Sequence, residues 1–180
     1  MERKLTLVFD LETDGLLNDV TKIHCIAIYD SETNKTTSYN DECPGKGMSE
    51  PVVRAIQYLE QAESIVGHNI VGFDLPVIRR LYPFFNYTGT IIDTLILSRL
   101  YHSRLIDIDK RRKWPNMPPK LYGRHSLESY GYRLGEYKGE FSKTTDWKEW
   151  SQEMEDYCIQ DVRVTAKLCD HFHPYLTGSR

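Results

Sequence analysis

The chain has 180 residues, 40% of them hydrophobic, and a formal net charge of −3. That length suits a single domain over residues 1–180, whose one core can bury about 70% of the surface the unfolded chain exposes. The charge balance argues against a generally basic nucleic-acid coat, and no apolar run approaches the roughly 20 residues a membrane-spanning helix needs.

Met1 to Leu5 runs directly into a strand pattern, leaving no room for a signal peptide, so a cytoplasmic location is expected. Leu5, Leu7, Phe9 and Leu11 alternate with Thr6, Val8, Asp10 and Glu12, a period-two strand that breaks at the turn Asp14-Gly15. Ile23 to Tyr29 reads as a second strand and Thr36 to Tyr39 as a short third, giving an antiparallel opening. Ser49 is expected to cap a helix with Glu50 and Pro51 in its first turn and Val52, Ile56 and Leu59 on its apolar face.

Ile65-Val66-Gly67 reads as a short buried strand, followed by a helix around Leu75 to Leu81. Ile91-Ile92 gives another strand, and Asp93 or Thr94 caps a helix from Leu95 to Tyr101. Residues 102–124 lack periodicity and contain Pro115, Pro118 and Pro119, so a long surface loop is expected there. Ser126 to Tyr130 begins a helix that closes near Gly131. Gly135 to Trp150 is irregular. Ser151 then caps a long helix with Met154, Cys158, Val162, Thr165, Leu168 and Phe172 on its inner face. Strands first, then strands interleaved with helices, imply an α/β fold with a mixed sheet and helices packed on it.

Between Arg99 and Arg124 lie eight basic residues against Asp107 and Asp109, a net +6 that leaves −9 for the remainder. Such a division suits a nucleic acid beside a cation-binding carboxylate cluster, although charge runs are usually solvated faces. Cys25, Cys43, Cys158 and Cys169 have no paired short spacing and read as buried, reduced thiols. His171 and His173, two apart on a helix, point to different faces and make a poor metal pair.

The informative residues are acids at positions where acid is expensive. Asp10 and Glu12 lie two apart on a strand, so both carboxylates share one face, and each would hold its proton more tightly unless a cation sat between them. Gly67-His68-Asn69-Ile70-Val71-Gly72-Phe73-Asp74 leaves a buried strand and delivers Asp74 to the start of a helix. Tyr157 and Asp161 stack at four-residue spacing in the last helix. Each feature alone has a plain alternative: a solvated edge strand, a helix cap, or an exposed polar pair. Together they supply the oxygen ligands that Mg²⁺ or Mn²⁺ prefers, as phosphodiester cleavage by two metal ions requires.

Phe9-Asp10-Leu11-Glu12-Thr13-Asp14-Gly15 resembles the first motif of the DEDD superfamily, the DnaQ-like proofreading exonucleases. His68-Asn69 to Phe73-Asp74 resembles the second, and Tyr157 with Asp161 the third in its tyrosine-bearing DEDDy form. Val20 to Cys25, Ile92-Asp93-Thr94-Leu95 through Ser98-Arg99-Leu100, and Gly131 to Glu136 are similar to the proofreading domain of family A DNA polymerases of the T-odd-phage type. The polymerase region itself has no counterpart within these 180 residues.

This resemblance implies a ribonuclease-H-like mixed sheet flanked by helices, and a 3′→5′ exonuclease that releases 5′-mononucleotides from single-stranded DNA ends. It implies two divalent cations, Mg²⁺ or Mn²⁺, with Asp10 bridging, Glu12 and Asp161 completing one site and Asp74 holding the second. Tyr157 and Glu12 would orient the attacking water. Thr13, Leu16, Asn69 and Phe73 match positions that hold the terminal nucleotide. Arg111, Arg112 and Lys113 are the candidate strand contacts in the basic loop. A DNA polymerase is a further implied partner, and a phage protein would work in the host cytoplasm. Two alternatives stay open: an exoribonuclease of the same superfamily, and a non-catalytic nucleic-acid-binding relative. A haloacid-dehalogenase phosphatase fits poorly, because Glu12 stands where its second aspartate belongs.

Overall fold

A computed structural model describes residues 5–42, 50–136 and 146–179 of the chain. Cys43 and Ser49 lie outside the described residues, as does most of the irregular stretch before Trp150. Five strands form one sheet in the order β3-β2-β1-β4-β5, with β1 Thr6–Thr13, β2 Ile23–Asp30, β3 Lys35–Asn40, β4 Ser64–Gly67 and β5 Thr90–Asp93. The β1–β2 and β2–β3 pairs are antiparallel, whereas β1–β4 and β4–β5 are parallel. The mixed sheet expected from sequence is therefore present, with the acid-bearing strand at its centre.

Alternation along β1 distributes its side chains between two cores. Leu7, Phe9 and Leu11 face one side, where they pack with Ile56 and Leu59 of α1 (Val52–Gln61) and Val77 and Ile78 of α2 (Asp74–Leu81). Val8 faces the other side with Cys25, Ala27 and Val66, beneath Cys158 and Val162 of α6 (Gln152–Leu176). Period two carries Asp10 and Glu12 onto that same α6 side. All six residues expected on the inner face of α6 are buried, and Ser151 caps it by accepting the Met154 N–H at 3.1 Å. Among the described residues no helix is long and apolar enough to cross a membrane.

Three expectations need correction. Helix α1 begins at Val52 with Pro51 as its N-cap residue, and the Val52 N–H is satisfied by the Asp41 carboxylate at 3.0 Å; Glu50 pairs instead with Tyr39 in an isolated bridge. The supposed 102–124 loop contains α4 (Leu105–Arg112) and a 3₁₀ turn at Pro119–Leu121; α3 (Thr94–Tyr101) precedes it. Helix α5 runs from Leu127 to Leu134 and ends at Gly135, whose φ of 70° supplies the left-handed residue that closes a helix, while Gly131 is buried within it.

The α4 helix escapes a periodicity reading because its inward face is partly polar. Leu105 packs with Leu168 and Phe172, but Asp109, one turn on, is a fully buried carboxylate. It accepts two bonds from the Arg133 guanidinium at 3.0 and 2.8 Å, the Trp114 indole N–H at 2.8 Å and the Gly123 N–H at 2.8 Å. These donors hold its pKa below the usual value against the opposing effect of burial. Arg133→Met is expected to destabilise the chain by about 3–5 kcal/mol, because it leaves a buried charge without its cation. Urea unfolding measures this, and a loss below about 1 kcal/mol would mean that water already reaches Asp109.

Candidate active site

The cleft lies at the carboxyl ends of the parallel strands, where open α/β sheets commonly place ligands. From the end of β1 come Asp10 and Glu12; α2 supplies Asp74 at its start, and α6 supplies Tyr157 and Asp161. All five line one cleft of about 710 Å³ together with Asn69, Phe73 and Trp147. The four acids and the tyrosine singled out in sequence are thus brought together.

The passage from β4 to α2 is tightly specified. A Cβ on Gly67 would stand 2.1 Å from the Ile70 side chain and 3.0 Å from the Phe9 carbonyl, so a larger residue would push the strand away from β1. Asn69 adopts a φ of 67°, a left-handed conformation that asparagine tolerates better than most residues. Asp93, at the end of β5, then fastens the turn. Its carboxylate accepts the Asn69 and Val71 N–H groups at 3.0 and 3.1 Å while also capping α3 through Leu95 and Ile96. Helix capping, which by itself accounts for an aspartate at this position, is half of its task; bracing the loop that presents Asp74 is the other half.

Electrostatics sets the cleft acids apart from Asp109, whose donors lower its pKa. Burial pushes the Asp10 carboxyl well above its usual range, and the charges of Asp74, Glu12 and Asp161 push it further. Glu12 is raised by burial and then by Asp161 and Asp74. Asp74 is raised to about 7 by burial despite hydrogen bonds from its own N–H and that of Leu11. Asp161 is likewise raised to about 7 by burial, against a hydrogen bond from the Tyr157 hydroxyl.

Asp10, Glu12 and Cys158 have ligand atoms all within 4.8 Å of one another, so this group could hold a metal ion. Cys158 is the surprise. Its thiol donates to the Asp10 carbonyl at 3.4 Å and lies 3.8 Å from the carboxylate. The cysteine count gave no sign of this; the position next to Tyr157 on the apolar face of α6 was the available signal. Cys25 and Cys158 are buried thiols as expected, while Cys169 is half-buried.

The nucleotide-holding candidates divide. Asn69 and Phe73 line the cleft, whereas Thr13 and Leu16 are not among its lining residues. Thr13 is buried and donates its hydroxyl to the Gly15 carbonyl at 2.8 Å. Leu16 is 76% exposed beyond the end of β1, so it does not serve as core. Arg111, Arg112 and Lys113 sit at the exposed C-terminal end of α4 and do not line the cleft.

The cations that do line it are Arg99 of α3 and Arg124, with His68 and His125 beside them. His68 Nδ1 is tied to the Thr94 hydroxyl at 2.9 Å and His125 Nδ1 to Ser98 at 2.6 Å. Sequence reasoning included both arginines in the basic tract but did not single them out, because only folding turns their two segments toward the carboxylates. His171 meets His102, Nε2 to Nε2 at 2.7 Å, rather than His173.

A mixed sheet that gathers four carboxylates near the end of its central strand is an α/β fold of the ribonuclease-H kind, and the chain belongs to the RNase_H superfamily: its family RNase_H_2 matches residues 7–173. The chain is 35% identical over 193 aligned positions to the DNA-directed DNA polymerase of Escherichia phage T7 and 36% identical to that of Enterobacteria phage T3. The match takes in 91% of this chain and 26% of each polymerase, so the chain spans about a quarter of those relatives.

Among solved structures, Brucella melitensis NrnC with bound Mg²⁺ superposes with a TM-score of 0.62 at 18% identity, over 97% of this chain and 74% of that one. The zinc-bound E. coli ExoI–ssDNA complex superposes with a TM-score of 0.59 at 19% identity, over 99% and 43%. These likenesses share the fold.

The raised carboxyl pKa values have a consequence for stability. Carboxyls ionise near pH 4 in an unfolded chain, but Asp74 and Asp161 keep their protons to about pH 7 in the metal-free fold. Between those limits the folded state binds more protons than the unfolded one, so these groups remove stability as pH rises. Mg²⁺ or Mn²⁺ is therefore expected to raise the melting temperature more at about pH 7.5 than at about pH 5, measured by scanning calorimetry against a chelator control. An ion effect independent of pH would contradict this.

Proposed function

We propose that residues 1–180 form a single 3′→5′ exonuclease domain that hydrolyses the terminal phosphodiester of single-stranded DNA and releases 5′-mononucleotides. The observation carrying this reading is the convergence of Asp10, Glu12, Asp74 and Asp161, all with raised pKa, on one open cleft. A set of mutually repelling carboxylates fits hard divalent cations, and Mg²⁺ or Mn²⁺ suits an all-oxygen site. Asp10, Glu12 and Asp161 would hold one ion, and Asp10 with Asp74 a second. When bound, such a pair neutralises the phosphodiester and makes water more acidic.

The remaining work belongs to side chains of this chain. Glu12 accepts from the attacking water, and the Tyr157 hydroxyl fixes that water in line with the scissile bond. A phenol with a reference pKa of about 10 is a poor base near neutrality, so Tyr157 acts as a hydrogen-bonding group. Asn69 and Phe73 hold the terminal nucleotide from the α2 side, with Leu16 as an apolar wedge and Thr13 supporting the end of β1. Arg99 and Arg124 meet the strand's phosphates. The likeness to phage DNA polymerases and the fold shared with the ExoI–ssDNA complex support DNA as the substrate. They also support a DNA polymerase as a partner in proofreading, in the host cytoplasm if the protein is phage-encoded.

Cleavage is expected to require Mg²⁺ or Mn²⁺ and to stop in excess chelator. Linear single strands with a free 3′-hydroxyl should be cut faster than blunt duplex, since unpairing a matched end costs a few kcal/mol. Labelled strands of DNA and RNA, run beside a circular single strand, test this. Turnover in chelator, or efficient cutting of the circle, would defeat the reading; faster cutting of RNA would turn it to an exoribonuclease.

The strand path is tested by salt dependence. Arg99→Ala combined with Arg124→Ala is expected to flatten the slope of log affinity against log salt by about 1.4, two phosphates at about 0.7 each. The Arg111, Arg112 and Lys113 triple alanine variant, altered outside the cleft, should change the slope less. An unchanged slope in the double variant would move the strand away from α3.

A further inference from the structure

We infer that Trp147 is a positioning residue for Tyr157, fixing the phenol ring from the cleft side. This rests on the reading of Tyr157 as the water-orienting group. Both rings line the cleft, and they meet edge to face, with centroids 6.3 Å apart and planes at 76°. Trp147 precedes α6, so its place against Tyr157 is not set by helical geometry. It is set by β2. His24, only 2% exposed, reaches the Trp147 carbonyl through Nε2 at 3.1 Å, a contact across 123 positions of sequence. On the α6 side, the Trp150 indole N–H donates to the buried Glu155 carboxylate at 3.1 Å. The segment carrying Trp147 is thus fastened to the sheet at one point and to α6 at another.

A tyrosine needs such a wall here. The α6 backbone fixes the Tyr157 Cα but leaves an aromatic side chain two common χ1 settings in a helix. Tyr157 is half-buried at the cleft, so the helix alone does not choose between those settings. The hydroxyl must lie beside Asp161, to which it donates, and also within reach of the water that Glu12 addresses. The Trp147 edge contact weights the rotamer that satisfies both. Edge-to-face aromatic pairs have a strength that corresponds to roughly a 2- to 12-fold population bias.

The test compares Trp147→Ala, Trp147→Leu and Trp147→Phe, each alone and combined with Tyr157→Phe. Single-turnover cleavage and strand affinity, the latter measured by fluorescence anisotropy in Ca²⁺, are read separately, with thermal unfolding as a fold check. Tyr157→Phe alone should slow cleavage by roughly 10- to 150-fold, as expected for losing a hydrogen bond that involves a charged group. Trp147→Ala should slow it by about 2- to 12-fold with strand affinity unchanged.

Trp147→Phe should recover most of that loss, and Trp147→Leu, which keeps apolar bulk without an aromatic edge, should not. Against Tyr157→Phe, Trp147→Ala should add nothing, because the hydroxyl it positions is gone. Additive slowing in the double variant, or weakened affinity at an unchanged cleavage rate, overturns the inference alone. A Tyr157→Phe variant that cleaves at the wild-type rate overturns the water-orienting role and the inference together.

Discussion

Four carboxylates that repel one another, held where water is scarce, are the constraint to which the rest of the structure answers. Asp10 and Glu12 stand on the central strand of the sheet, and Asp74 and Asp161 face them from two helices; burial favours the protonated form of all four, and the charges of the others add to it at Asp10 and Glu12. No local preference would assemble this group. It is held by apolar packing on both sides of β1: Leu7, Phe9 and Leu11 toward α1 and α2, and Val8 toward Cys158 and Val162 of α6. Stability is given up at one end of the sheet and recovered in its two cores, the usual relation between a strained site and its scaffold.

Other buried acids in the same chain sit among hydrogen-bond donors rather than like charges. Asp30 accepts from Glu32, Thr33 and Tyr58, and Asp109 from Arg133, Trp114 and Gly123; both have lowered pKa values. Glu155 gathers Ser38, Asn40 and Trp150. Asp93 accepts four backbone N–H groups. These carboxylates are surrounded by donors and serve as clamps between elements distant in sequence. Asp10 and Glu12 face other carboxylates instead, which is the arrangement a cation relieves. Burial alone therefore does not mark a functional acid; the sign of its surroundings does.

The clamps also carry the site's geometry. Asp93 holds the turn that presents Asp74, and its other bonds hold the start of α3, the helix that brings Arg99 to the cleft. Asp109 with Arg133 organises the stretch from α4 to α5, which carries Arg124 and His125. The fold shared with NrnC and ExoI at 18–19% identity is the scaffold on which these clamps act.

Period-two alternation in β1 put Asp10 and Glu12 on one face, four-residue spacing paired Tyr157 with Asp161, and the apolar stripe of α6 was readable in full. These are local periodicities, and sequence alone determined them, together with the mixed sheet and the family resemblance. The α4 helix was not readable, because its inward face carries Asp109, whose partner lies 24 positions away in Arg133. Gly131 looked like a helix terminus but is buried inside α5, which runs on to Gly135. Cys158 beside Asp10, Trp147 against Tyr157 and the two arginines of the cleft were decided only by the tertiary structure. Cys158 lies 148 positions from Asp10, and Trp147 is held against Tyr157 by His24, 123 positions away; no propensity or spacing records which distant segments a folded chain will bring face to face.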